Sequence, residues 1–77
     1  MTEIQIEYCV PCGLREQAIE TAEAVLDEFG RDVEGVELVT GHGGVFEVSA
    51  DGELVFDTDE REYDPQAIVE SVAARVA

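Results

Sequence analysis

The segment Glu3-Ile4-Gln5-Ile6-Glu7-Tyr8-Cys9-Val10-Pro11-Cys12-Gly13 decides how the rest of the chain is read. Its first half alternates, with Ile4, Ile6 and Tyr8 on one side and Glu3, Gln5 and Glu7 on the other, which is the period of a half-buried strand. Its second half sets the only two cysteines of the chain two residues apart, just ahead of a helix-like pattern. Helical positions i and i+3 lie roughly 5 Å apart, inside the Cα separation a disulfide tolerates, so Cys9 and Cys12 can bond and part over a fixed backbone. A helix starting here would also turn its free N–H groups and positive dipole end toward the sulfurs, favouring thiolate over thiol. Thiolate is the species that attacks a disulfide.

Other uses of the pair are weaker. As a structural staple its four-residue ring would remove only about 2 kcal/mol of unfolded-chain entropy, against about 5 kcal/mol for a long loop. A zinc site normally takes four ligands, and beyond the cysteines the chain offers one histidine, His42. A metal would therefore need carboxylates or a second chain. Inert thiols are the third reading.

Seventy-seven residues fit one domain, 1–77, close to the lower size limit for a single core. A homodimer or high salt would help to hold it. A 45% hydrophobic content is that of a globular chain. No apolar run approaches the roughly 18 residues of a membrane span, and Met1-Thr2-Glu3-Ile4 does not open a signal peptide. The expectation is a cytoplasmic protein without a membrane partner, in which closely spaced cysteines are catalytic or sensing. Nineteen Asp and Glu against four Arg give a net charge of -15, which repels phosphate backbones and argues against a nucleic-acid partner. The acids run the whole length instead of forming a block, which fits a halophile's surface better than an interaction tail. At about 1 M salt the screening length falls to about 3 Å and self-repulsion fades.

Downstream, Leu14, Ala18, Ile19, Ala22, Val25, Leu26 and Phe29 recur at helical intervals, with Gly30 as the stop. Val36 to Thr40 reads as a second strand, left through Gly41-His42-Gly43-Gly44. Strand, helix, strand is a βαβ unit, so the two strands should be parallel. The cysteines and the glycine-rich loop then emerge at one sheet edge, where open α/β sheets place their sites. Val45 to Ala50 and Glu53 to Asp57 form a hairpin about Asp51-Gly52. A simple two-residue register puts Phe46 and Val48 with Val55, and Leu54 and Phe56 opposite. Either the register differs or the sheet has a second face to cover. Asp64-Pro65 opens a last helix, whose stripe of Ile68, Val69, Val72, Ala73 and Val76 runs to the C-terminus. The fold class is α/β, a two-layer sandwich in the order β-α-β-β-β-α with one parallel strand pair, an antiparallel hairpin and two helices.

This order, the C-x-x-C after the first strand, and the blocks Gly44-Val45-Phe46-Glu47-Val48 and Asp51-Gly52-Glu53-Leu54-Val55-Phe56 resemble the selenoprotein W and Rdx family of thioredoxin-like proteins over nearly all 77 residues. The resemblance implies a thioredoxin-like fold and a thiol-disulfide role, linked in other members to low-molecular-weight thiols such as glutathione. In selenium-containing relatives selenocysteine stands at the position of Cys12, whereas in thioredoxins proper the first cysteine attacks. Either Cys9 or Cys12 is thus a candidate nucleophile. One departure is that the loop facing the cysteines, a proline site in thioredoxins and in animal selenoprotein W, is Gly41-His42-Gly43-Gly44 here.

Three residues support the pair in this reading. Pro11 presets φ near the helix start and is first of all scaffold. Arg15, three after Cys12, either stabilises a thiolate or pairs with one of the many acids. His42 either tunes a thiol or is an exposed loop residue. Tyr8 is expected under the cysteine loop, Phe46 and Phe56 in the core. The expected function is a thiol-disulfide oxidoreductase or redox adaptor, cycling through a mixed disulfide with a protein or low-molecular-weight thiol and needing no cofactor. The alternative is a non-catalytic binding protein whose cysteine pair holds a metal between two chains. A protein modifier of the β-grasp type fits the element count, but its two terminal glycines are replaced by Val76-Ala77.

Overall fold

A computed structural model describes residues 2–76. Strand β1 spans Thr2–Cys9 and helix α1 Arg15–Phe29; a single 3-10 turn at Gly30–Asp32 leads into β2 (Val33–Gly41), β3 (Phe46–Ala50), β4 (Glu53–Asp57) and helix α2 (Pro65–Ala73). The four strands form one sheet in the order β2-β1-β3-β4. β1 runs parallel to β2 and antiparallel to β3, which pairs antiparallel with β4. This is the expected α/β sandwich, with β1 at the centre.

Alternation along β1 buries Ile4, Ile6 and Tyr8 beneath the helices, where they join Val48, Phe46 and Phe56 from β3 and β4, Val25 from α1 and Ile68 and Val72 from α2. The opposite sheet face carries Glu3, Gln5, Glu7, Glu37, Glu47 and Asp57, and among the described residues both helices pack on the other side.

α1 seats a narrower face than its apolar positions imply. Ala18, Thr21 and Val25 are its buried residues, whereas Ile19 and Leu26 are 43% and 47% exposed. The buried contact is made by one small and two β-branched side chains. Thr21 is tolerated there because its hydroxyl donates to the Gln17 carbonyl at 2.8 Å and lies 3.0 Å from the Tyr63 hydroxyl. Gly30 ends the helix at φ 52, its N–H returning to the Leu26 carbonyl.

Asp64 caps α2 by accepting from the N–H groups of Gln66 and Ala67 at 3.0 and 3.4 Å, with Pro65 as first helical residue. The helix stops at Ala73 rather than running to the C-terminus. Val76 still packs partly against the core, and Ala77 lies outside the described residues.

The hairpin turn has φ 53 at Asp51 and φ 82 at Gly52, the two left-handed residues of a type I′ turn. Its register corrects the simple expectation. A bulge sets Val48 opposite Phe56 and Ser49 opposite Leu54, leaving Val55 as the extra residue. One inserted residue swaps the faces beyond it, so Phe56 enters the core at 2% exposure and Leu54 goes to the open face at 48%.

Candidate redox site

Cys9 is the last residue of β1 and Cys12 lies in the turn that follows. The two are disulfide-bonded, with Cα atoms 5.4 Å apart. The spacing is that expected, but its origin is different: α1 begins only at Arg15, so the pair straddles a strand end and a turn instead of one helical turn. The turn is closed by Gly13 N–H to the Val10 carbonyl at 3.1 Å and Leu14 N–H to the Cys9 carbonyl at 3.3 Å. Gly13 adopts φ 76, where a side chain would add strain. Leu14 caps α1 without a side-chain hydrogen bond, so the first-turn N–H groups of the helix face the cysteine turn uncapped by a side chain.

The two sulfurs have unequal access. Cys9 has 0% exposure, while Val10, Pro11, Cys12 and Gly13 are all exposed. The connection from β2 to β3 arches beside the end of β1 and is bonded to it. The N–H of Cys9 donates to the Val45 carbonyl at 2.8 Å, and that of Val10 to the Gly41 carbonyl at 3.1 Å. Gly41 is the register partner of Cys9. A Cβ there would lie 2.8 Å from Val45 Cγ1 and 2.9 Å from Glu7 Oε2, so any larger residue would have to displace these side chains.

The supporting residues are distributed around this edge. Pro11 is exposed within the turn. Arg15 opens α1 and, with Val10, Gly13 and Glu16, lines a shallow recess of about 420 Å³ beside the turn. Among the described residues no ion pair involves Arg15; Arg75 pairs with Glu53, and Arg61 lies 4.9 Å from the Phe56 ring centroid. His42 is exposed in the arch, where Gly43 and Gly44 turn the chain at φ 73 and 80. Tyr8 packs in the hydrophobic core.

Sequence reasoning missed Glu7 and Val45. The signal was parity: Glu7 shares the open face of β1 with position 9, two residues on. Behind Glu7 the acids crowd one another. Glu47, its register partner on β3, is held above the usual carboxylate range by burial and then by the charges of Asp57, Glu7 and Asp59.

The model of the Rdx family matches residues 3–74, which include both cysteines, the arch and the two helices. The chain belongs to the Rdx family. This Rdx protein is 40% identical to mouse migration and invasion enhancer 1 over 55 residues, 69% of the chain and 44% of that relative, and 38% identical to the bovine protein over the same length. It thus spans less than half of the curated relatives it matches. Among solved structures it superposes on a Bordetella parapertussis protein with TM-score 0.90 at 30% identity, covering 96% of each chain. A selenoprotein W-related protein from Vibrio cholerae gives TM-score 0.92 at 20% identity, with 99% and 98% covered. The thioredoxin-like architecture and a C-x-x-C disulfide at the sheet edge are accordingly features of this Rdx-family chain.

Proposed function

We propose that the protein is a thiol-disulfide oxidoreductase or redox adaptor in which Cys12 exchanges with the partner and Cys9 resolves. The observation that carries this reading is the contrast between an exposed Cys12 and a Cys9 of 0% exposure within one disulfide. Exchange needs a straight approach to the attacked sulfur along the bond that breaks, so only the outer sulfur is open to a partner. In the reduced protein Cys12 attacks a partner disulfide, forming a Cys12–partner bond and releasing the partner's other sulfur as thiolate. Cys9 then attacks Cys12 and expels the remaining partner thiolate. The uncapped start of α1 and the Arg15 guanidinium favour the Cys12 thiolate, Pro11 stiffens the turn, and His42 sits on the arch beside the approach. The partner is a protein or low-molecular-weight disulfide, the setting a salt-rich cytoplasm.

Trapping tests the assignment. Reduced Cys9→Ser, treated with a small aromatic disulfide, should hold a stable adduct on Cys12, whereas Cys12→Ser should remain unmodified in the folded state; rapid adduct formation on Cys9 of Cys12→Ser overturns it. The metal reading is disfavoured by the same burial, since a metal shared between chains needs both sulfurs at the surface. Native mass spectrometry of protein purified with zinc present decides that point: a dimer carrying one zinc supports the metal, a metal-free chain supports exchange.

A further inference from the structure

We infer that Glu7 is the proton acceptor for Cys9 in the resolving step, an inference that rests on the exchange reading above. Cys9 has 0% exposure in the disulfide form; with that burial kept while Cys12 carries a partner, the Cys9 thiol has no direct route for its proton to bulk water. A thiol must lose that proton before it can attack. The alternation of β1 directs positions 7 and 9 to the same face. There the Glu7 carboxylate bends toward Gly41, its Oε2 2.9 Å from where a Cβ on that residue would stand, and Gly41 pairs with Cys9 across the parallel ladder. Glu7 is itself only half-buried. Its carboxylate thus stands beside the residue that pairs with Cys9 and keeps a route to solvent.

The step balances within the site. The Cys9 S–H proton passes to the Glu7 carboxylate, the Cys9 sulfur forms a bond to Cys12 Sγ, and the Cys12–partner bond breaks with its electron pair leaving on the partner thiolate. Glu7 then releases the proton to water. The charged groups that face Glu7 come from the neighbouring strands. Glu47 opposes it on β3, with Asp57 next on β4 and Asp59 beyond; on the β2 side its partner is the uncharged Val39, and Glu37 lies further along that strand.

The test is Glu7→Gln, which keeps the shape and removes the base. Reduced wild type and variant are mixed with a small aromatic disulfide, acid-quenched and weighed over time. The adduct on Cys12 should form at the wild-type rate, while its conversion to the intramolecular disulfide slows about 100-fold, within the usual range for a positioned acid-base group. Glu7→Asp should recover part of the rate. Resolution at or above the wild-type rate in Glu7→Gln overturns the role of Glu7, since loss of a negative charge would by itself ease formation of the Cys9 thiolate. Absence of any Cys12 adduct in wild type and in Cys9→Ser sinks the exchange reading instead. Circular dichroism melting of each variant confirms that the fold is intact.

Discussion

A methyl group at position 41 would meet Val45 Cγ1 at 2.8 Å and Glu7 Oε2 at 2.9 Å. Glu7 can swing away, but the Val45 backbone that carries the clashing methyl is tied to Cys9, whose N–H donates to its carbonyl. Gly41→Ala should therefore cost about 1–3 kcal/mol, the usual range for overpacking, read from the urea midpoint. As the arch lifts, the reduced Cys9 thiol should also become alkylated in the native state, which peptide mapping would detect. Glu47 gives a pH signature of its own. Its folded pKa is raised, so its contribution to stability is present below the unfolded value and is lost as pH rises through the raised one. Glu47→Gln should thus melt above the wild type at neutral pH and low salt, with the gap closing in acid and in concentrated KCl.

Among the elements, α2 depends on its first turn. Asp64 accepts two backbone N–H bonds, and Asp64→Ala should lower stability by about 1 kcal/mol. Since α2 supplies Ile68 and Val72 to the core, the loss should appear in the global transition. The connector between β4 and α2 is fastened by Tyr63, whose ring meets Phe46 edge-on at 5.4 Å and whose hydroxyl donates to Glu20 at 2.7 Å. Burial, with the Glu20 bond and charge adding to it and Thr21 opposing, pushes the phenol up to about 12. The folded state holds this proton more tightly than the unfolded chain. Stability from the group is therefore full below pH 10 and falls as pH rises from 10 to about 12; Tyr63→Phe should lose that part of the alkaline fall in melting temperature.

For the whole molecule, charge decides the conditions of folding. The chain carries a net charge of -15 on 77 residues, and among the described residues no ion pair involves the acids of the open sheet face. We propose that salt is the missing counter-charge. Melting temperature should climb steeply between millimolar and molar KCl; an unchanged cooperative transition across that range would refute adaptation to salt. Much of the architecture was legible because local pattern and tertiary demand agree: the alternation of β1, the Asp51-Gly52 turn and the Asp64-Pro65 cap each specify one backbone conformation. The helix face was less so. Ile19 and Leu26 fit the periodicity, yet the buried face went to Ala18, Thr21 and Val25, since the side of a helix that meets the sheet is set by tertiary contacts.

What the amino-acid order determined by itself was the set of elements, the parallel βαβ unit and the presence of a sulfur pair at its edge, all of them consequences of short-range periodicity and chain handedness. Only the tertiary structure decided that the bulge at Val55 turns Phe56 inward, that Cys9 is sealed while Cys12 stands open, and that Glu7 meets Gly41. These are contacts between segments distant along the chain, set by how the β2-to-β3 arch closes over β1, and no local pattern encodes such a closure.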